Sequence, residues 1–326
     1  MTKVQHFSGI DISKMSFNVC VNKNNKYRMK KFAYTEEGMK DSLLFFPIGS
    51  TCIMESTGTY HCRLAYFLNS NGIKVCVVNP LSVKRFSQAL MLRTKTDKAD
   101  SKMLIEYGIH FQPKLWKPKA DHFVELQQLI NMEELLLKEE RALKNQLEAI
   151  NHSVVQSVQV KDKIKSKLQQ IKEDLIEIGQ SSERIMKQCE AESYANLESI
   201  PGIGKKTAIV LIALTQCFRE FDNAKQVSSY FGLCPRIYES GTSVKGKSRI
   251  CKMGMSLIRR LLYMCALSAK VHNKACRELY ERLLKQGKQK KLALIAVANK
   301  LLKQAFSIIK NKTTYDENFL SKKLAY

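Results

Sequence analysis

Gly9-Ile10-Asp11-Ile12-Ser13-Lys14, entered through His6-Phe7-Ser8, is the stretch that decides the fold. An apolar run carries an aspartate between two isoleucines and then breaks into a polar Ser-Lys turn. Aspartate is disfavoured inside a strand and costly to bury alone, so Asp11 at a strand end requires a compensating partner. Outward from it, residues 16–21 and 27–34 read as two further strands, with the Asn-rich residues 22–25 marking the hairpin between them. The chain therefore opens with three strands joined by short polar turns.

Past residue 34 the rhythm changes. A helical stretch begins at Glu36, the apolar run Cys52-Ile53-Met54 follows, and then come a helix over 61–68, a strand over 74–78 and a helix from Leu81. Three hairpin-linked strands followed by α/β alternation is the element order of a ribonuclease-H-like (RuvC-like) domain, a mixed sheet flanked by helices. Residues 113–118, bounded by Pro113 and Pro118 and holding the sole tryptophan, Trp116, read as a boundary or docking strap that closes a first domain at 1–118. In 119–190, Leu129, Leu136, Leu143 and Ile150 recur at heptad spacing, and Ile164, Leu168, Ile171, Leu175 and Ile178 at alternating fours and threes. An antiparallel helical hairpin, a coiled coil between chains, or two amphipathic helices packed on a neighbouring domain would each give this pattern. The third region, 191–326, is mostly helical apart from an irregular Gly- and Ser-bearing segment over 231–252. The fold class expected is α/β followed by α.

Charge narrows the partner. Lys and Arg number 54 against 30 Asp and Glu, a net +24, so the field around the protein favours polyanions, nucleic acid first. The charge is concentrated: residues 241–303 hold 16 Lys or Arg and two acids, Glu278 and Glu281. No stretch approaches the roughly 20 apolar residues of a membrane span, and the first residues lack a signal core, which leads us to expect a cytoplasmic protein. The ten cysteines include no C-x-x-C pair and the six histidines no metal-binding spacing, so zinc and disulfide frameworks are not expected.

The acids carry the chemistry. Glu55 repeats the situation of Asp11, directly after Cys52-Ile53-Met54, while Asp97 and Asp100 lie three apart at a helix start and share a face. Four gathered negative charges need a cation. Mg²⁺ takes oxygen ligands and serves phosphoryl transfer, which makes Asp11, Glu55, Asp97 and Asp100 its expected holders. Farther on, Ile200-Pro201-Gly202-Ile203-Gly204-Lys205-Lys206 looks like a helix-hairpin-helix turn, whose glycines admit a phosphate close to exposed backbone N–H groups; Gly202, Gly204, Lys205 and Lys206 are candidates for nucleic-acid contact.

Together, Gly9-Ile10-Asp11-Ile12-Ser13-Lys14, Glu55-Ser56-Thr57-Gly58-Thr59-Tyr60, Asn79-Pro80 and Lys95-Thr96-Asp97-Lys98-Ala99-Asp100 resemble the DEDD transposases of the insertion-sequence 110 family, related to the Piv-type DNA invertases. Phe231-Gly232-Leu233-Cys234-Pro235-Arg236 followed by Tyr238-Glu239-Ser240-Gly241 matches the same family's C-terminal segment. Sequence logic alone leaves Ser240, Thr242, Ser243 and Ser248 equivalent; the resemblance implies that Ser240 is the nucleophile that joins to DNA. It implies further that the acids of one subunit meet the serine of another, in a dimer or tetramer, and that a structured non-coding RNA guides the choice of donor and target DNA. Lys245, Lys247, Arg249 and Arg236 are then placed to steady the phosphoryl transition state. A junction-resolving nuclease that works by Mg²⁺-dependent hydrolysis is the alternative.

Overall fold

Strand β1 (Phe7–Ile12) ends at a tight turn in which the Ser13 N–H donates to the Ser16 carbonyl at 2.9 Å. The chain then returns as β2 (Ser16–Lys23) and β3 (Lys26–Ala33). The computed structural model describes residues 6–23, 26–56, 58–91, 96–236, 239–240, 244–245, 249–251 and 253–318, without the side chains of Lys23, Asp97, Lys98, Glu239, Ser240, Val244, Lys245 and Arg249. Asn24 and Asn25 of the expected hairpin turn thus lie outside the described residues, between the paired Lys23 and Lys26. The chain divides into two compact units, 1–118 and 119–326.

In the first unit, α1 (Glu36–Leu43) leads to β4 (Thr51–Glu55), α2 (Tyr60–Ser70), β5 (Lys74–Val78), α3 (Pro80–Ala89) and α4 (Asp97–Phe111). The strands form one sheet in the order β3-β2-β1-β4-β5, antiparallel across the first three and parallel from β1 through β4 to β5. Alternation then sorts the side chains. Ile10, Phe17, Val19, Cys52, Met54 and Val75 face Met39 of α1 and Leu64, Ala65 and Leu68 of α2, while Phe7, Cys20, Ile53 and Cys76 face Met103, Leu104 and Ile105 of α4. The helix starts follow local chemistry. Asn79 Oδ1 accepts from the Leu81 N–H with Pro80 in the first turn, and Thr96 Oγ1 accepts from the Ala99 N–H, which accounts for the Asn-Pro pair and for the threonine before the two aspartates. The 113–118 strap docks on this unit: the Trp116 N–H donates to Val75 O at 2.7 Å, and its ring meets Tyr66 edge-on at 5.0 Å.

The second unit begins with α5 (Asp121–Asn151) and α6 (Val158–Cys189), which pack on each other along the chain's own heptad stripe, burying Leu136, Ile164 and Ile171. Within one chain the two helices form an antiparallel hairpin that also packs on neighbouring helices. The base of the hairpin is continuous with the C-terminal helices. Phe123, Leu126, Ile130, Ile185 and Met186 share one core with α7 (Ala191–Glu198), α8 (Lys205–Thr215) and α9 (Ala224–Tyr230), which makes all of these helices a single unit. Next come four two-residue strands, β6 (Pro235–Arg236), β7 (Glu239–Ser240), β8 (Val244–Lys245) and β9 (Arg249–Ile250), and then α10 (Ser256–His272), α11 (Lys274–Lys285) and α12 (Lys290–Asn311). By length and composition α12 could cross a membrane, yet Leu294, Val297, Leu301, Leu302 and Ala305 are sunk in the unit's core, as befits a central packing helix.

Candidate active site and nucleic-acid interface

Sheet register places the first two acids. β1 and β4 run parallel with Phe7 opposite Thr51, Gly9 opposite Ile53 and Ile10 opposite Met54, so Asp11 and Glu55 are the next residues out, side by side at the C-terminal ends of adjacent strands. By alternation both stand on the Phe7, Gly9 and Ile53 face. That is the face α4 covers, and the helix runs antiparallel to β1. A Cβ on Gly108 would meet Phe7 and Ile53, and a Cβ on Gly9 would meet Ser101 and Leu104. One step further along the same line, the first turn of α4 brings Asp97 and Asp100 toward the strand ends that carry Asp11 and Glu55. The register thus sets Asp11 and Glu55 side by side at one end of the sheet face whose covering helix begins with Asp97 and Asp100. Among the described residues, which include the side chains of Asp11, Glu55 and Asp100 but not that of Asp97, no three His, Cys, Asp or Glu are close enough to hold a metal ion, so these three are not drawn into one cluster here. The donor set, four carboxylates and no imidazole or thiolate, fits a hard cation such as Mg²⁺.

Ser240 stands on a β-hairpin that sequence patterning did not reveal. The Cys251 N–H donates to the Cys234 carbonyl at 2.9 Å, Pro235 pairs with Ile250 and Arg236 with Arg249, then Glu239 with Lys245 and Ser240 with Val244. Ser240 is in the last described pair. Of the expected cations, Arg236 and Arg249 are paired across this hairpin and Lys245 lies one pair from Ser240, whereas Lys247 falls outside the described residues. The base is anchored by Arg259 on α10, whose Nη1 donates to the carbonyls of Phe231 and Gly254, each at 3.0 Å. Composition had grouped Arg259 with the anion-facing charges; its guanidinium is instead spent on backbone carbonyls. No sequence signal marks such an anchor.

The helix-hairpin-helix turn joins α7 to α8 with Ile200 and Ile203 buried beneath it. Its two glycines differ. Gly202 has φ +102° and presses on α10, where a Cβ would stand 2.7 Å from that of Ala269; Gly204 is the N-cap of α8, makes no side-chain cap, and has open space around it. The start of α8 is therefore open at Gly204 beside Lys205 and Lys206, as phosphate contact requires. Both lysines also have partners within the unit: Lys205 Nζ meets Glu183 at 2.8 Å and Lys206 Nζ meets Glu133 at 2.6 Å. Hydrogen bonds from Lys187 and Lys205 hold the Glu183 carboxyl down at about 2.

Acids at the strand ends of a mixed sheet and a net charge of +24 suit an enzyme that acts on DNA, and comparison with known proteins gives the class, a DNA transposase or recombinase. Residues 194–281 match the family described as Transposase IS116/IS110/IS902 family, and residues 8–154 match the DEDD transposases of IS110. The chain is 30% identical over 321 residues to the pilin gene-inverting protein of Moraxella bovis, covering 95% of this chain and 98% of that one. It is likewise 30% identical over 320 residues to the protein of that name from Moraxella lacunata, with the same coverage. Against the transposase for insertion sequence element IS1111A of Coxiella burnetii it is 23% identical over 340 residues, covering 94% of this chain and 90% of that one. The chain belongs to the IS110 family of transposases. It cleaves and rejoins DNA in transposition, and its family uses divalent metal.

Proposed function

We propose that the enzyme transposes DNA through a covalent phosphoserine, with Ser240 as nucleophile and Asp11, Glu55, Asp97 and Asp100 as holders of Mg²⁺. The observation that carries this reading is the β1–β4 register, which sets Asp11 beside Glu55 on the face whose covering helix begins with Asp97 and Asp100. The strand order 3-2-1-4-5, antiparallel then parallel, supports a ribonuclease-H-like frame for the acids. When bound there, Mg²⁺ supplies Lewis-acid activation and charge stabilisation for phosphoryl transfer.

In the transfer itself, the Ser240 oxygen forms a new ester bond to a DNA phosphorus and gives up its proton. One phosphodiester P–O bond to deoxyribose breaks, and the leaving sugar oxygen takes a proton. Rejoining reverses both changes, so no external energy is needed. Arg236, Lys245, Lys247 and Arg249 offset the charge that builds on the phosphoryl oxygens, and Gly202, Gly204, Lys205 and Lys206 grip backbone phosphates. The acids of one copy serve the serine of another in a homo-oligomer, a dimer or tetramer. Donor and target DNA are selected by a structured guide RNA, which accords with a basic protein whose sequence shows no zinc finger or obvious base-reading motif.

Ser240→Ala is expected to abolish the protein–DNA adduct, seen as a shifted band on a denaturing gel, and strand joining with it, while leaving DNA binding intact. Adducts that survive this change overturn the serine assignment. Free ends made by the variant at the wild-type rate would establish the hydrolytic nuclease instead.

A further inference from the structure

We propose that Gly9, together with the hydrogen bond from Tyr27 to Glu106, sets the seat of α4 on the sheet and thereby the spacing of Asp97 and Asp100 from Asp11 and Glu55. These are positioning residues for a divalent cation, and the inference rests on the four-carboxylate reading above.

Gly9 lies in an ordinary extended strand with no positive φ, so its backbone does not call for glycine. Glycine there costs conformational entropy and contributes no side chain to the core. What the position needs is room: a Cβ would stand 1.9 Å from the carbonyl oxygen of Ser101 and 3.1 Å from the Cβ of Leu104. The first of these is helix backbone, which has no rotamer by which to withdraw. Gly108, at the other end of α4, is different, since a Cβ there would meet side-chain atoms of Phe7 and Ile53 at 2.9–3.0 Å. The rigid contact is the one nearest the acids. Ser101 directly follows Asp100, and Gly9 is two residues before Asp11 on the same face. Relieving the clash at position 9 means lifting the first turns of α4 by about 1 Å or more, on the scale at which misplaced groups lose about 10²-fold in rate. Mg²⁺ in particular tolerates little departure from octahedral geometry.

The lateral seat is set from β3. Tyr27 Oη donates to Glu106 Oε1 at 2.5 Å, and Lys102 Nζ lies 4.4 Å from the centre of the Tyr27 ring, so two residues of α4 one turn apart are held by one tyrosine. Burial, and then the bond to Glu106, push the Tyr27 hydroxyl up to about 12, which keeps it protonated and donating at any working pH. Height is thus fixed by backbone contact at Gly9, and sideways placement by Tyr27.

The test is Mg²⁺ and Mn²⁺ affinity of the full chain by calorimetry, alongside the Mg²⁺ concentration for half-maximal DNA cleavage. Gly9→Ala should weaken affinity by about tenfold or more and raise the half-maximal Mg²⁺ in parallel, while Tyr27→Phe should weaken it by about threefold. Gly108→Ala should lower the melting temperature yet leave metal affinity within about twofold of the parent, which separates seating from general destabilisation. A folded Gly9→Ala chain that binds Mg²⁺ like the parent overturns the proposal. If circular dichroism shows Gly9→Ala unfolded, Tyr27→Phe decides, and parental affinity there overturns it. Asp11→Asn guards the premise: affinity retained in that variant removes the four-carboxylate reading itself, whereas affinity lost in Asp11→Asn and kept in Gly9→Ala sinks the seating inference alone.

Discussion

The two units hold their candidate site residues by different means. In 1–118, Asp11 and Glu55 are fixed by the main-chain hydrogen bonds of the sheet, and the helix that brings Asp97 and Asp100 is seated by a backbone contact at Gly9. In 119–326, the segments expected to meet DNA engage charged side chains: Arg259 holds the base of the Ser240 hairpin, and Glu183 and Glu133 pair with the helix-hairpin-helix lysines. A site built from register suffers more from added volume than from the loss of a side chain. A site hung from side chains does the reverse.

The largest effect that sharpens this contrast is expected at Arg259. Arg259→Met keeps much of the stem but leaves the carbonyls of Phe231 and Gly254 without their donor. The hairpin that carries Ser240 then loses its fixed base, and adduct formation should fall about 10²-fold with little change in DNA affinity. Adduct formation at the parental rate would show that the hairpin is held by other means.

Next comes Gly202→Ala, where the second unit departs from the contrast and shares the first unit's sensitivity to added volume. At φ +102°, with a Cβ 2.7 Å from that of Ala269, the substitution combines a left-handed backbone with a clash against α10, so we expect a loss of about 2 kcal/mol or more in urea unfolding. A loss below about 0.5 kcal/mol would mean that α10 moves freely, and the claim of a tight turn would fail.

The same contrast shows what could be read beforehand. The strands around Asp11 and Glu55 are legible because alternating and continuous apolar runs mark them, and Asn79-Pro80 and Thr96 declare helix starts by their capping chemistry. The adjacency of Asp11 and Glu55 is less legible, since it depends on β1 pairing in parallel with a strand about 40 residues later. The role of Gly9 depends on a helix nearly 100 residues away. In the second unit, the hairpin at 234–251 is made of two-residue strands of polar and charged residues, too short to show any period, and the sequence reads it as irregular. The carboxylates that meet Lys205 and Lys206 lie on α6 and α5, 22 and 73 residues earlier, beyond any local pattern.

A smaller effect arises from buried thiols in both units. Burial pushes Cys20 and Cys76 up to about 11, and Cys217 and Cys276 up to about 12, against an ordinary value of 9.0. In the unfolded chain these thiols lose their protons near pH 9, while in the folded chain they keep them. The unfolded state then binds fewer protons, and stability falls as pH rises from about 9 toward 11–12. Melting temperatures taken between pH 8 and 10.5 should decline, and replacing Cys217 and Cys276 with Ala should flatten part of that slope. Exposed Cys62 and Cys189 should meanwhile react first with a thiol reagent at neutral pH.

The smallest effect separates holding from gripping. Lys205 and Glu183 form an exposed pair, and exposed pairs contribute little to stability, so Lys205→Gln should leave the melting temperature unchanged. Glu183 is held at about 2, below its ordinary 4.5, so whatever the pairing contributes is complete above pH 4.5 and fades as pH falls toward 2. DNA must therefore compete with Glu183 for this ammonium. If a phosphate wins, the slope of log affinity against log salt should become shallower by about one in Lys205→Gln, with no change in sequence preference. An unchanged slope would assign Lys205 to the protein's own scaffold and leave the open start of α8 at Gly204 as the turn's contribution to DNA binding.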